Sequence, residues 1–307
     1  MHASLARRQA PGTIPEPFLD RQGARVILGA QERVQPIVPS ASTLFGPRGA
    51  FLVSANGPLI VCDTGHHRLL VWRSVPDRDN TPADLVVGQP DFHTEGRKLF
   101  NVPTGVAFGA GVLALADAWN HRVLLWNGLP QRWDQPADVE LCGLNWCYGV
   151  AIDGSRLIVA DTGNKRVLVW NRIPSANAAP DLVLDEGMRW PHGIAAGGER
   201  IFIADAGTNR VSGLTPSEPL SMPYGVTLHH GALVVADTAN SRLLALDPRT
   251  GSVLGLAGQR SLADKGDNRW GPAARDSLCW PYCVHACERT LVIADTGNNR
   301  ILLWDLA

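Results

Sequence analysis

Cysteine and histidine are the side chains in this chain with the clearest potential for chemistry. The sequence has six cysteines and nine histidines. Cys147 and Cys283 replace a proline and a glycine that the other five copies of a repeated segment share, and His192 stands at a variable position of the same segment, which predicts that the three converge on one face. Thiolate and imidazole are preferred ligands of zinc and copper, so these three residues form a candidate metal site. Buried structural thiols are the alternative, because free cysteine is among the most commonly buried residue types.

A second cysteine pattern is the linear run Cys279, Cys283 and Cys287. The three residues are spaced four apart, and an extended strand rises about 3.3 Å per residue, so the run spans about 26 Å. It therefore cannot bind one ion by itself.

Aromatic side chains form a second candidate site. In each repeat a P-x-G segment precedes the longer motif, and large side chains occupy its variable positions. These residues are Arg48, Trp146, Tyr148, Trp190, His192, Tyr224, Trp280 and Tyr282. An amphipathic aromatic surface of this kind suits a peptide segment or an apolar small ligand. The alternative is that the tryptophans only cover the grooves between neighbouring repeats.

The repeats that position these residues all resemble LIVADTGNKRVLVW, at residues 157–170. Six copies begin at Leu59, Leu113, Leu157, Ile201, Leu233 and Leu291. Each copy has an aspartate followed five residues later by an arginine, as in Asp161 and Arg166. Short β-branched runs on both sides of a Gly/Asn-rich turn predict two strands joined by a hairpin. The aspartate and arginine lie at the ends of that hairpin, which predicts a structural ion pair.

Two further strands complete each unit and predict an all-β fold. The P-x-G segment begins one, and runs such as DLVVGQ from Asp84 form the other, so each repeat predicts a four-stranded β-propeller blade. The unit from Ile201 is the shortest, and its outer strand should be short or absent. The last unit ends after its third strand, and residues 24–31 should supply the fourth by pairing with the strand at 300–305. We therefore expect a tail over 1–23 and one six-bladed propeller domain over 24–307.

The D-T-G-N-N-R and P-x-G-V elements resemble those of the NHL-repeat family of six-bladed propellers over nearly the whole chain. The resemblance implies the fold. It implies a range of functions, among them protein interaction, RNA binding and a metal-dependent lyase whose ligands are several channel histidines. In this sequence only His192 stands at a position predicted to face the channel, and His285 is the next nearest candidate.

Composition limits the partners. The net charge of −1 and only three lysines argue against nucleic acid and anionic membranes as partners. The first residues lack the apolar run of a signal peptide, and the cysteines are spread through a chain that needs no disulfide framework. These features predict a cytoplasmic protein.

The functional prediction is a non-catalytic binding module or scaffold. It would capture a protein segment or small ligand at the aromatic mouth of the propeller channel. The polar insertion at 258–276 should shape this mouth, with Trp270 as an exposed candidate contact. The alternative function is a metal-dependent hydrolase or lyase with zinc or copper in the channel. No G-x-S-x-G, H-E-x-x-H or P-loop motif is present to support catalysis.

Overall fold

The strands of this protein form a ring of six antiparallel sheets. The computed structural model describes residues 18–29 and 37–307. Within them, five sheets have four strands and one has three. The innermost strand of each sheet contacts those of the sheets before and after it, and the sixth contacts the first. The prediction of an all-β, six-bladed propeller is confirmed.

Each sheet is one blade, and strands are numbered β1–β23 along the chain. Blade 1 consists of β2 Gly49–Leu52, β3 Leu59–Asp63, β4 Arg68–Trp72 and β5 Leu85–Val87. Blade 2 consists of β6 Pro103–Gly109, β7 Val112–Asp117, β8 Arg122–Asn127 and β9 Val139–Leu141. Blade 3 consists of β10 Cys147–Asp153, β11 Arg156–Asp161, β12 Arg166–Trp170 and β13 Leu182–Leu184. Blade 4 consists of β14 Pro191–Gly197, β15 Arg200–Asp205 and β16 Arg210–Val211. Blade 5 consists of β17 Pro223–His229, β18 Ala232–Asp237, β19 Arg242–Leu246 and β20 Val253–Ala257. Blade 6 consists of β21 Pro281–Cys287, β22 Thr290–Asp295, β23 Arg300–Asp305 and, as its outer strand, β1 Val26–Leu28.

The turn between the second and third strands is a short 3-10 helix in five blades. These helices are Thr64–His66, Ala118–Asn120, Thr162–Asn164, Thr238–Asn240 and Thr296–Asn298, and a sixth lies in a loop at Asp267–Trp270. The residue before each repeat arginine, such as Lys165 with φ 58°, has a left-handed backbone that ends the turn. In these five blades the aspartate before the turn accepts a hydrogen bond from the arginine after it and one from a backbone N–H that precedes the first strand, as Asp161 does from Arg166 and Asn145, so one carboxylate links the hairpin to the first strand.

Blade 6 is completed by a strand from the other end of the chain. Strand β1 pairs antiparallel with β23, with Val26 opposite Leu303 and Leu28 opposite Ile301. The predicted closure by the N-terminal segment is confirmed, although residues 30 and 31 of the predicted range lie outside the described residues. Leu19 is also buried, and the Trp304 indole N–H donates to the Asp20 carbonyl at 2.8 Å. Pairing covers an edge that would otherwise be open to other chains.

The hydrophobic core lies between blades rather than at the centre of the ring. Repeat tryptophans such as Trp72 and Trp126 are buried in these inter-blade clusters. Near the axis the inner strands approach so closely that a Cβ on the repeat glycine, for example Gly149, would overlap the His192 carbonyl of the next blade. Glycine is required there because only a residue without a Cβ permits that approach.

Blade 4 has no outer strand, as its short sequence predicts. Its third strand, Arg210–Val211, has two residues where the equivalent strands of the other blades have five or six. Among the residues described, no helix has the length and apolar character needed to cross a membrane.

Candidate functional site

A β-bulge places the variable residue before the repeat glycine at the mouth of the central channel. In blade 3 the pairing of β10 with β11 shifts between Cys147 and Gly149, so Tyr148 is the extra residue. The same shift occurs around Tyr224 and Tyr282. A bulge redirects the extra side chain, in this case toward the axis. Five predicted site residues line one channel cavity, namely Arg48, Tyr148, His192, Tyr224 and Tyr282.

These five side chains form a continuous stack. Tyr148 and His192 lie with ring centroids 4.7 Å apart, His192 and Tyr224 4.4 Å apart, and Tyr224 and Tyr282 4.3 Å apart. The Arg48 guanidinium carbon lies 4.8 Å from the centroid of the Tyr282 ring, within the range of a cation–π contact. The rings therefore occupy the mouth by contacting one another. The cavity has a volume of about 270 Å³, below the roughly 300–1,000 Å³ typical of pockets for small ligands.

The surroundings of the stack keep two of its members, His192 and Tyr224, neutral. Burial, reinforced by the nearby Arg48 charge, lowers the pKa of His192 to about 4. Burial and the neighbouring Tyr282 raise the pKa of Tyr224 above its usual value. The imidazole between Tyr148 and Tyr224 is therefore neutral at pH 7, and Arg48 carries the positive charge at the other end of the stack.

Two tryptophans project from the rim outside the stack. Trp146 is 50% exposed and Trp190 is 52% exposed, while Trp280 is partly buried. Trp146 and Trp280 have left-handed backbones, with φ 46° and 49°. A residue with a Cβ loses about 1 kcal/mol or more in that conformation relative to glycine, which occupies the same position as Gly46 in blade 1.

Each left-handed rim residue is fixed by a side chain from the preceding blade. The residue before the repeat arginine accepts the rim N–H: His121 Nδ1 accepts from Trp146 at 3.2 Å, and Ser241 Oγ accepts from Trp280 at 3.3 Å. His67, Asn209 and Asn299 act in the same way toward Val102, Met222 and Gly46. Sequence analysis did not identify these capping residues. The signal was present, because five of the six residues at this position carry a hydrogen-bond acceptor.

Blade 4 breaks this pattern because the sixth residue is Lys165, which has no acceptor atom. The Trp190 N–H donates instead to Asp205 Oδ1 at 2.7 Å, and the Arg189 N–H donates to Asp205 Oδ2 at 2.9 Å. Trp190 has no left-handed backbone. Backbone N–H groups thus occupy both carboxylate oxygens of Asp205. The Arg210 side chain is exposed, and it forms no ion pair with any other described residue.

The predicted hairpin ion pair is therefore correct in five blades and wrong in blade 4. In the five blades the arginine Nε lies 2.6–2.8 Å from the carboxylate, as in Asp63–Arg68, Asp117–Arg122, Asp161–Arg166, Asp237–Arg242 and Asp295–Arg300.

The candidate metal ligands are not brought together. Cys147 is fully buried between blades 2 and 3, and its thiol donates to the Arg122 carbonyl at 3.0 Å. Cys283 lies where blade 6 meets blade 1, with its sulfur 3.6 Å from the Ala50 carbonyl oxygen. Burial raises the pKa of Cys283 to about 11 and raises that of Cys147 as well, so neither is a thiolate at pH 7. Among residues 18–29 and 37–307, no group of three His, Cys, Asp or Glu could hold a metal ion.

The placement of Cys147 corrects the expectation that both thiols face the mouth, whereas Cys283 lines the same channel cavity as His192. The bulge directs the residue before the glycine to the axis, so the residue one position earlier, Cys147, points into the blade. Cys283 replaces the glycine itself, where the strand backbone faces the neighbouring blade. His285 lines the deeper channel, where its ring stacks on Phe51 with centroids 3.9 Å apart.

The insertion at 258–276 lies on the mouth face, as expected. The Asp267 carboxylate accepts from the Ser241 hydroxyl at 2.7 Å, and Asn268 bonds Asn298 at 2.9 Å, so the loop rests on the turns of blades 5 and 6. Asn268, Arg269 and Trp270 are three consecutive left-handed residues, and Trp270 is largely exposed at their end.

Comparison with known proteins shows the fold and no family. No protein-family model matches the chain, and no curated protein matches it by sequence. The WD40 β-propeller domain of Doa1 is similar with a TM-score of 0.57 and 10% identity, covering 96% of this chain and 98% of that one. A chain of the nidogen/laminin complex has a TM-score of 0.51 and 15% identity, covering 68% of this chain and 79% of that one. Glutaminyl cyclase from Myxococcus xanthus covers 94% of this chain and 100% of its own, with a TM-score of 0.48 and 14% identity, too low to support any inference. The first two similarities show the β-propeller fold.

Proposed function

We propose that this protein is a non-catalytic binding module that captures an extended segment of a partner protein across the aromatic mouth of its channel. The observation that carries the proposal is the pair of half-exposed tryptophans, Trp146 and Trp190, beside a closed aromatic stack. Exposed aromatic side chains on a rigid frame are typical of the residues that dominate protein interfaces.

The volume of the channel favours a peptide over a small ligand. Because the cavity that the stacked rings line is only about 270 Å³, a ligand would lie across the rings rather than enter. A peptide can lie across such a surface and place apolar side chains between the rim tryptophans.

Selection from a displayed library of random peptides tests the proposal. Peptides selected on the immobilised protein should bind it in a fluorescence anisotropy titration. The double variant Trp146→Ala, Trp190→Ala should bind the same peptides with at least tenfold lower affinity. The matched control is Trp133→Ala, which removes a partly buried tryptophan beside the outer strand of blade 1. Selected peptides that bind the double variant as tightly as the wild type would contradict the proposal, as would a selection that enriches none.

The scaffold role, the NHL-type assignment and the cytoplasmic location predicted from the sequence belong to this proposal as well. The second candidate of the sequence, a metal-dependent hydrolase or lyase, gains no support from the separated positions of Cys147, His192 and Cys283.

A further inference from the structure

A site distinct from the mouth lies at the vacant outer-strand position of blade 4. Strand β16 ends at Val211, and Gly213, with φ 71°, turns the chain away. The chain then crosses to blade 5, where the Ser217 N–H donates to the Gly251 carbonyl at 2.8 Å. No fourth strand pairs with β16 among the described residues.

The vacancy leaves apolar surface of blade 3 uncovered. Val87 in blade 1 and Leu141 in blade 2 are each 1% exposed, whereas Leu184, at the equivalent position of blade 3, is only partly buried. Leu182 on the same strand is 48% exposed. The core between blades 3 and 4 has five fully buried residues, and the core between blades 4 and 5 has eleven. An added strand would cover the surface that the missing one leaves open.

A cleft of about 720 Å³ lies between residues 186–188, which follow the outer strand of blade 3, and the third strand of blade 4 with the segment that leaves it. Met188, Ile203 and Val211 supply apolar lining, and Arg210 lines the same cleft. The volume is within the range of binding pockets.

Arg210 gives the cleft a specific chemistry. It is the repeat arginine whose aspartate is occupied by backbone N–H groups, so its guanidinium is available to another carboxylate. Glu186 and Glu218 also line the cleft, but neither is ion-paired with Arg210 among the described residues. A guanidinium that forms no ion pair, beside the apolar side chains of Met188 and Leu220, can pair with an acidic residue flanked by apolar ones.

The chain itself shows what such a segment looks like. In blade 2 the outer strand β9 reads Val139-Glu140-Leu141, and Glu140 Oε2 lies 3.1 Å from the Nη1 of Arg122, the repeat arginine of that blade. Blade 6 shows that an outer strand need not come from its own repeat, since β1 is delivered from the opposite end of the chain. An apolar–acidic–apolar segment supplied by another protein would combine these two arrangements.

We propose that the blade 4 cleft binds an extended segment of a partner chain in which one acidic residue lies between two apolar residues. The acidic side chain pairs with Arg210, and the apolar ones cover Leu182 and Met188. The Leu214 N–H already donates to the Val211 carbonyl, so side chains rather than a full backbone ladder supply most of the affinity. The site is independent of the channel mouth, and it stands or fails separately from the function proposed there.

The test uses a labelled peptide, PADVELSG, which copies residues 136–143 with serine in place of Cys142. In an anisotropy titration to millimolar concentration, the full-length protein should bind it saturably. Arg210→Glu should weaken binding about tenfold or more, because a charge-assisted hydrogen bond contributes roughly 1.5–3 kcal/mol. A peptide with lysine in place of its glutamate should bind Arg210→Glu better than it binds the wild type. The control is Arg249→Glu, which changes an exposed arginine on blade 5.

Three outcomes would overturn the proposal. One is the absence of saturable binding. Another is a result that assigns the peptide to the channel mouth instead of the cleft. That result would be equal affinity for the wild type and Arg210→Glu, or loss of binding only in the variant that lacks Trp146 and Trp190. The third is a concentration-dependent dimer in sedimentation that both Leu182→Asp and Arg210→Glu abolish, because the cleft would then be occupied by a second copy of this chain.

Discussion

Trp146 offers a direct measurement of the backbone strain at the rim. Its side chain is half exposed and its φ is 46°, and its N–H is held by His121. Replacement by alanine or by glycine removes the same ring contacts, so the difference between the two variants isolates the backbone. An L-residue with a Cβ loses about 1 kcal/mol relative to glycine in the left-handed region. Trp146→Gly should therefore be more stable than Trp146→Ala by about 1 kcal/mol.

Trp190 provides the matched control for this comparison. It occupies the same position of blade 4 and is equally exposed, but its backbone is not left-handed. Glycine there should be less stable than alanine by roughly 0.5–1 kcal/mol, because glycine loses more freedom on folding. Urea unfolding midpoints of the four variants, compared at a common slope, give both differences. If glycine and alanine rank in the same order at the two positions, the assignment of backbone strain to Trp146 is refuted.

Three further perturbations test the ring, the stack and the irregular blade. Burial, with the Arg48 charge, holds the pKa of His192 at about 4 in the folded protein, compared with about 6.5 in the unfolded chain. The unfolded state therefore gains a proton first as the pH falls. The free energy of unfolding should drop by about 2 kcal/mol between pH 7 and pH 5 through this group. His192→Gln should remove that part of the pH dependence in unfolding titrations, and an unchanged pH profile would contradict it. Leu28→Ala, in the buried closing strand, should cost about 2–5 kcal/mol in chemical unfolding, and a loss below about 1 kcal/mol would show that β1 contributes little to closure. Lys165→Asn should accept the Trp190 N–H and return Asp205 to Arg210; a crystal structure of the variant with Arg210 still unpaired would refute the role assigned to Lys165.

The repeated sequence motifs determined most of the fold. The aspartate and arginine five residues apart, with glycine and asparagine between them, specify a hairpin through local hydrogen bonds, so six copies predict six blades. The unpaired apolar run near residue 26 and the missing fourth strand after Arg300 predicted closure, because an open edge is unfavourable. The absent outer strand of blade 4 followed in the same way from the short unit at Ile201.

The directions of individual side chains were decided only by contacts between blades. Cys147 and Tyr148 are adjacent in sequence, yet the bulge directs one into the blade and the other to the channel. Arg210 matches its repeat equivalents letter for letter, but it is unpaired because the turn of the preceding blade carries Lys165. A repeat alignment records what each position shares. A side chain's orientation and partners depend on the neighbouring blade, which only the closed ring brings into place.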